Sequence, residues 1–350
     1  MAKIRLYARR LLIILLIIII TALTTEIAFR VYDKFNHTLI FPSNSYNRFR
    51  GKPFAEEYQF RLNSKGFKDI KHARDKKQYI FRIIGIGDSF VSGVVPYKNN
   101  FLTLLQQKLN QKRERFEVIN MGIPCIGVDG YFALLVNEGL LLNPDLVICC
   151  FFMGNDFTDR TELSTSFHSY LYSFLRYVFK IYPEYKRKTY YTEGAYQDDM
   201  PTMEDEVFLK IERERSLIFQ SNNNAFLRKL DWSVSYLKLM KDICSFHHTQ
   251  FLVVIIPDEL QVNIHLQEKV IKSFNSLDKK DFDFELPNKL FKTHLEKLSI
   301  KYIDLFNDFF VLSKNKKYYK PNDSHWNIAG NELASNLIFD KIVSLEANDN

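Results

Sequence analysis

Five short, uninterrupted apolar runs, separated by longer stretches with helical periodicity, narrow most sharply what this chain can fold into. The runs cover residues 79–86, 116–121, 145–152, 250–257 and 301–305. A strand wetted on one face alternates apolar and polar residues, whereas an unbroken run fits a strand covered on both faces, as in a parallel sheet between helices. The covering helices are legible in apolar residues three and four apart over 101–112, 131–142, 225–246, 288–298 and 328–345. Strand alternating with helix predicts a doubly wound α/β domain. One interval breaks the rhythm. Residues 158–224, rich in Tyr, Phe, Lys, Arg and Glu, exceed by far the usual connection of about 4–6 residues. They predict an insertion, helical in part over SYLYSFLRYVFKIY, lying over the carboxyl ends of the strands, where open α/β sheets bind ligands. The plain alternative is a surface loop.

The 350 residues are 46% hydrophobic and 25% charged, which excludes a disordered or low-complexity chain. The formal charge of +7 is concentrated at the start, where Lys3, Arg5, Arg9 and Arg10 precede the apolar run LLIILLIIIITAL. The remainder is only mildly basic and makes no case for nucleic acid. The run extends through Glu26 to Phe29, and at helical rise 11–29 reaches roughly 28 Å, enough to cross a bilayer. Basic residues on its N-terminal side place 1–10 in the cytoplasm and everything beyond the span outside it. A cleaved signal peptide is the rival, weakened because Ala22-Leu23-Thr24 is a poor small-x-small site. Both readings export the rest of the chain: a basic, aromatic juxtamembrane lead-in over 30–77, then one large domain over 78–347. No internal repeat is present.

Cys125, Cys149, Cys150 and Cys244 show no metal-ligand spacing. Cys149 and Cys150 fall in one strand, where neighbours point to opposite faces, and read as buried free thiols. No spacing in the chain calls for a cofactor.

The chemistry gathers at the strand ends. The first strand runs into Gly87-Asp88-Ser89-Phe90, projecting a serine into the crevice beyond the sheet ahead of a helix that offers N–H groups. The segment is neither a G-x-S-x-G elbow nor a phosphate-binding loop. Alone it reads equally as a capped strand-to-helix turn. The second strand runs into the turn-rich segment Asn120 to Gly127, and the third into Gly154-Asn155-Asp156. Near the C-terminus, Asp323-Ser324-His325-Trp326 precedes the last helix. A hydroxyl, an amide donor and an Asp-His pair therefore collect at one sheet edge, and these are the parts that acyl transfer through a serine ester needs.

In that order, the blocks Gly87-Asp88-Ser89, Asn120 to Gly127, Gly154-Asn155-Asp156 and Asp323-Ser324-His325 resemble the SGNH/GDSL hydrolase family. Upstream, Asn63-Ser64-Lys65-Gly66-Phe67-Lys68-Asp69 resembles the lead-in of its membrane-anchored bacterial members, and Ile256 to Val262 their fourth-strand exit. The resemblance implies a three-layer α/β/α flavodoxin-like fold with a parallel five-stranded sheet in the order 2-1-3-4-5, besides the transmembrane helix. It implies Ser89 as nucleophile, His325 as general base and acid, and Asp323 as its orienter. The oxyanion hole would comprise the Asn155 side chain, the Ser89 backbone N–H and the Cys125 backbone N–H.

Two departures from the family pattern matter. Cys125 stands where the second block carries glycine, which matters only if its φ is positive. The last block is Asp-x-His rather than Asp-x-x-His, a form similar to exported members that acetylate or deacetylate polysaccharides. The implied activity is hydrolysis or transfer of an ester-linked acyl group on an exported glycan or cell-envelope glycoconjugate. A lipid ester is the alternative substrate, and an inactive scaffold in envelope-polymer assembly the alternative role. Asp304 is a second candidate to orient His325, though a strand-end cap is the simpler reading, and Asp88 and Asp156 are expected to brace turns. His37, His72, His168, His247, His248, His265 and His294 are expected at the surface or in packing.

Overall fold

The computed structural model of the chain describes residues 2–35, 50–51, 53–111, 115–159, 169–179, 196–221 and 223–348. The chain divides into two units, one of Met1–Arg48 with Glu162–Arg187 and one of Phe49–Thr161 with Lys188–Asn350. Parts of the expected lead-in (36–49 and 52) and of the expected insertion (160–168, 180–195 and 222) lie outside the described residues.

The larger unit is built on five strands: β1 (Phe81–Gly87), β2 (Phe116–Gly122), β3 (Leu146–Phe152), β4 (Gln250–Ile256) and β5 (Lys301–Asp304). Every pairing is parallel and the order is β2-β1-β3-β4-β5, the expected 2-1-3-4-5. β1 and β3 are buried almost throughout, which is why their sequences show no alternation. The helices are α1 (Ala2–Phe35), α2 (Ser89–Ser92), α3 (Phe101–Leu109), α4 (Val128–Leu134), α5 (Tyr170–Val178), α6 (Asp205–Arg215), α7 (Asn224–Phe246), α8 (Glu259–Val262), α9 (Ile264–Lys272), α10 (Leu286–Lys297), α11 (Phe306–Leu312) and α12 (Ile328–Asn348).

On one face of the sheet Ile83, Val118, Ile148, Cys150, Leu252 and Val254 join a core with residues of α3, α11 and α12. On the other, Phe151 and Phe157 meet Phe226 of α7 and Phe291 of α10, with ring centroids 4.5–5.4 Å apart. Cys149 and Cys150 are buried free thiols, and burial pushes both well above the ordinary thiol range, which leaves them inert.

Side-chain caps start several helices: Asn100 accepts from Leu102 N in α3, Asn223 from Phe226 N in α7 and Asn263 from Leu266 N in α9. The helix expected over 131–142 is not uniform. α4 widens into a π turn at Leu135–Gly139, tightens at Leu140–Leu142, and ends on Asn143 in the left-handed region at φ +50°. Glu138 in the π turn pairs with Arg50 at 2.6 Å and Lys65 at 3.2 Å, tying the lead-in to this helix.

The described lead-in from Arg50 onward packs as part of the larger unit, held by polar contacts rather than by periodic apolar ones. The Asp69 carboxylate accepts from Asn120 N at 2.7 Å and Tyr97 Oη at 3.1 Å. Buried Lys68 donates to the carbonyls of Gly93 at 2.9 Å and Val95 at 2.7 Å. Lead-in residues thus fix both the exit of β2 and the loop after α2.

In the smaller unit, α1 contains Lys3–Tyr32, a helix long and apolar enough to cross a membrane, a property signal sequences share.

β2 approaches α2 so closely at Gly122 that a Cβ there would collide with the backbone of Val91 and Ser92. Gly122→Ala should therefore cost about 2–3 kcal/mol, read as a lowered urea midpoint. An unchanged midpoint would show that α2 does not rest on β2.

Candidate active site

β1 ends at Gly87, and Asp88 turns the chain into α2 by accepting the Phe90 N–H at 2.8 Å. This makes Ser89 the first residue of the helix, so its own N–H belongs to the donors that no helical carbonyl can reach. Opposite it, His325 Nε2 lies 2.7 Å from Ser89 Oγ, and His325 Nδ1 lies 2.6 Å from Asp323 Oδ1. An ionised carboxylate can only accept, so Nδ1 carries the proton. In the neutral ring Nε2 is then the acceptor for the Ser89 hydroxyl. The Ser89 hydroxyl has a second acceptor in Asp88 Oδ2, but at 3.4 Å it is much the weaker one. Phe90 packs its ring 5.0 Å from the imidazole and limits its rotation.

The short Asp-x-His spacing reaches because Asp323 folds back over its own turn, its Oδ1 also accepting the His325 backbone N–H at 3.1 Å. Asp323 is fully buried. Its other oxygen, Oδ2, accepts from the hydroxyl of buried Thr202 at 2.6 Å. Thr202 belongs to a segment, Tyr196 to Arg215, that grips the whole histidine loop. Lys320 Nζ donates to Gln197 O at 2.9 Å, Thr202 N to Pro321 O at 3.2 Å, and Asn322 Nδ2 to Asp205 Oδ1 at 2.6 Å. Ser324, between Asp323 and His325, donates to Glu212 Oε1 at 2.8 Å and accepts from Arg215 Nη1. The Arg215 guanidinium also pairs with Glu212 at 3.0 Å, lies 3.9 Å from Asp258, and covers the Phe152 ring. Burial and the nearby Asp258 carboxylate push Glu212 toward its neutral form against the pull of Arg215.

The order β2-β1-β3 makes the exits of those strands neighbours. Beyond β3, Asn155 Nδ2 donates to Asp159 Oδ2 at 2.8 Å, which fixes the amide's orientation and leaves its second hydrogen for another acceptor. Burial above all, with the Asp88 charge adding, pushes Asp159 up to about 6. Beyond β2, Cys125 has φ +61°, the left-handed region where glycine is at ease, so a thiol residue here sits in a strained turn. A Cβ on Gly127 would strike the Asp159 carbonyl, so the second and third exits touch. Tyr131 of α4 joins them again by donating to Asp156 Oδ1 at 2.7 Å.

Ser89, His325 and Asp323 are thus brought into one hydrogen-bonded chain, while Asn155 and Cys125 stand on the two flanking strand exits. Such a chain can take a proton from the serine as it attacks and return it to a leaving group. Asp304 is not part of it: its carboxylate accepts from Asn288 Nδ2 and the Phe306 N–H, both at 3.1 Å, and pairs with Lys292. Asp156 braces its turn by accepting the Phe152 N–H at 2.8 Å. His72 and His294 take part in packing contacts, with Asp69 and with the Leu290 carbonyl. His37 and His168 lie outside the described residues. Thr202, Glu212 and Arg215 carried no signal in the sequence, because their partners lie more than a hundred positions away and such a grip has no period.

Removing the Thr202 hydroxyl while keeping its shape leaves Asp323 Oδ2 short of a charge-assisted bond worth about 1.5–3 kcal/mol. Thr202→Val should lower kcat on a small ester by about tenfold to a hundredfold with KM little changed, and Thr202→Ser should restore most of it. A KM effect at constant kcat would assign Thr202 to substrate binding instead.

No family model and no curated protein matches the sequence. Among solved structures, the chain is similar to an acetyl xylan esterase, AlAXEase, at 14% identity and TM-score 0.44, over 75% of this chain and 100% of that one. It is similar to a lipase/acylhydrolase from Enterococcus faecalis at 14% identity and TM-score 0.43, over 75% and 95% of the two chains. It is similar also to a GDSL-like lipase from Bacteroides thetaiotaomicron at 11% identity and TM-score 0.42, over 78% and 93%. Likeness at this distance does not reach to chemistry.

Proposed function

We propose that this chain is a serine ester hydrolase or O-acyltransferase of the SGNH/GDSL type. The observation that carries the reading is the Ser89–His325–Asp323 chain, with separations of 2.7 and 2.6 Å at the exit of a central strand. Ser89 Oγ attacks an ester carbonyl as His325 Nε2 takes its proton, and the alkoxide of the leaving group departs with that proton. Asp323 stabilises the imidazolium without becoming protonated. The oxyanion is received by the Ser89 N–H, the free hydrogen of the Asn155 amide and the Cys125 N–H. The acyl group then passes from Ser89 to water or to an alcohol that His325 deprotonates in turn.

The substrate we assign is an O-acyl group on a glycan or cell-envelope glycoconjugate outside the cytoplasm. Tyr58 and Tyr196 favour it: they meet edge to face at 5.3 Å, and Lys320, whose backbone N–H donates to the His325 carbonyl, lays Nζ over the Tyr196 ring at 4.5 Å. Such a pair offers the apolar platform on which sugar rings stack. Export is supported by the apolar length of α1 and the four basic residues ahead of it. The membrane helix also favours a second reading, a lipid ester as substrate.

A fluorophosphonate probe should label the folded wild-type protein and fail to label Ser89→Ala. His325→Ala should abolish ester turnover without unfolding, and Asp323→Asn should reduce it on the order of a thousandfold. A folded wild type that takes no label would leave an inactive scaffold as the reading, and labelling that survives Ser89→Ala would remove Ser89 as nucleophile.

A further inference from the structure

The smaller unit contains a contact that the proposed chemistry does not use. Glu26 stands on α1 about 22 Å along the helix from Leu11, near the end of the apolar stretch. A carboxylate at that depth is costly unless partnered, and here it is fully engaged. Its oxygens accept from Ser169 Oγ at 2.9 Å, from the backbone N–H of Tyr170 at 3.0 Å and from that of Leu171 at 2.8 Å. Arg30, one turn further on, donates to the same carboxylate at 2.9 Å and lays its guanidinium over the Tyr170 ring at 4.7 Å. Phe29 and Phe174 pack with centroids 4.7 Å apart. The first half of α5 is therefore docked on the last turns of the apolar stretch of α1.

α5 keeps a second, outward side. Tyr172, Leu175, Val178 and Phe179 recur at three- and four-residue spacing and are all exposed, as is the apolar surface of α1 from Leu11 to Ile27. Two exposed apolar surfaces are thus continuous through one hydrogen-bonded joint.

We propose that α5 is an interfacial helix: docked by Glu26 and Arg30 where α1 leaves the hydrocarbon, it lays Tyr172, Leu175, Val178 and Phe179 into the outer interfacial layer of the bilayer. Amphipathic helices with aromatic residues bind lipid in this manner, and tyrosine is favoured at that depth. The part of the insertion that contains α5 is then a second membrane contact rather than a lid or platform over the substrate. The inference rests on the reading of α1 as a membrane span.

The test is photo-crosslinking of the full-length protein in phosphatidylethanolamine/phosphatidylglycerol vesicles, with p-benzoylphenylalanine replacing, one at a time, Leu175, Val178 and, as the report on the span, Ile17. Phospholipid adducts are expected at all three positions, and Glu26→Ala should reduce those at 175 and 178 by about tenfold while sparing 17. Adducts at 17 alone overturn the interfacial helix and leave the span standing, as does crosslinking of 175 or 178 to a second copy of the chain. Absence of adducts at every position overturns the span and the proposal together. Adducts at 175 and 178 that survive Glu26→Ala undiminished overturn the docking by Glu26.

Discussion

The larger unit depends on the burial of one carboxylate. Asp323 has no exposure, and an ionised carboxylate in that position is tolerable only if its lone pairs are met by donors. Its donors include the imidazole and backbone N–H of His325 and the hydroxyl of Thr202. Meeting that requirement forces the histidine loop, a turn two residues long, against a segment more than a hundred positions earlier in the chain. The same contact sets the imidazole at the distance from Ser89 that proton transfer needs. Stability and chemistry therefore draw on one set of hydrogen bonds, and the segment from Tyr196 to Arg215 supports the site as much as the sheet does.

Around that carboxylate the charges are arranged in layers. Arg215 faces Glu212 and Asp258 and reaches Ser324, so a half-buried cation offsets the acids behind the histidine loop. In front, Asp88 and Asp159 lie where burial favours their neutral forms.

Sequence and structure agree most closely where physical periodicity is strong. The five strands follow from short, largely apolar runs, because strands covered by helices on both faces bury most of their side chains, whereas their order was implied by the family resemblance and not by any pattern in the runs. The positions of Ser89, Asn155 and His325 were legible for a related reason: each lies within three residues of a strand end or helix start whose boundary the pattern marks. What was not legible is equally physical. Thr202 and Arg215 act through side chains reaching across the fold, and nothing local in 196–215 announces it. Asp69 and Lys68 likewise turn an aperiodic lead-in into part of the larger unit through single buried hydrogen bonds. The π turn at Leu135–Gly139 carries Glu138, which pairs with Arg50 and Lys65, and apolar spacing over 131–142 does not distinguish it from a regular helix. The positive φ of Cys125 was raised only as a condition, by the glycine that the resembling block carries there, and nothing in this chain's own residues announces it.

The central claim is that an acyl group is carried covalently on Ser89. The most direct measurement is peptide mass mapping of the full-length protein quenched in acid during turnover of p-nitrophenyl acetate. The account predicts a single acetyl group on the peptide containing Ser89, accumulating further when His325 is replaced in a form that still acylates slowly. Turnover with the acetyl group on any other residue, or steady hydrolysis with no acetyl group on Ser89 at any time, would contradict it.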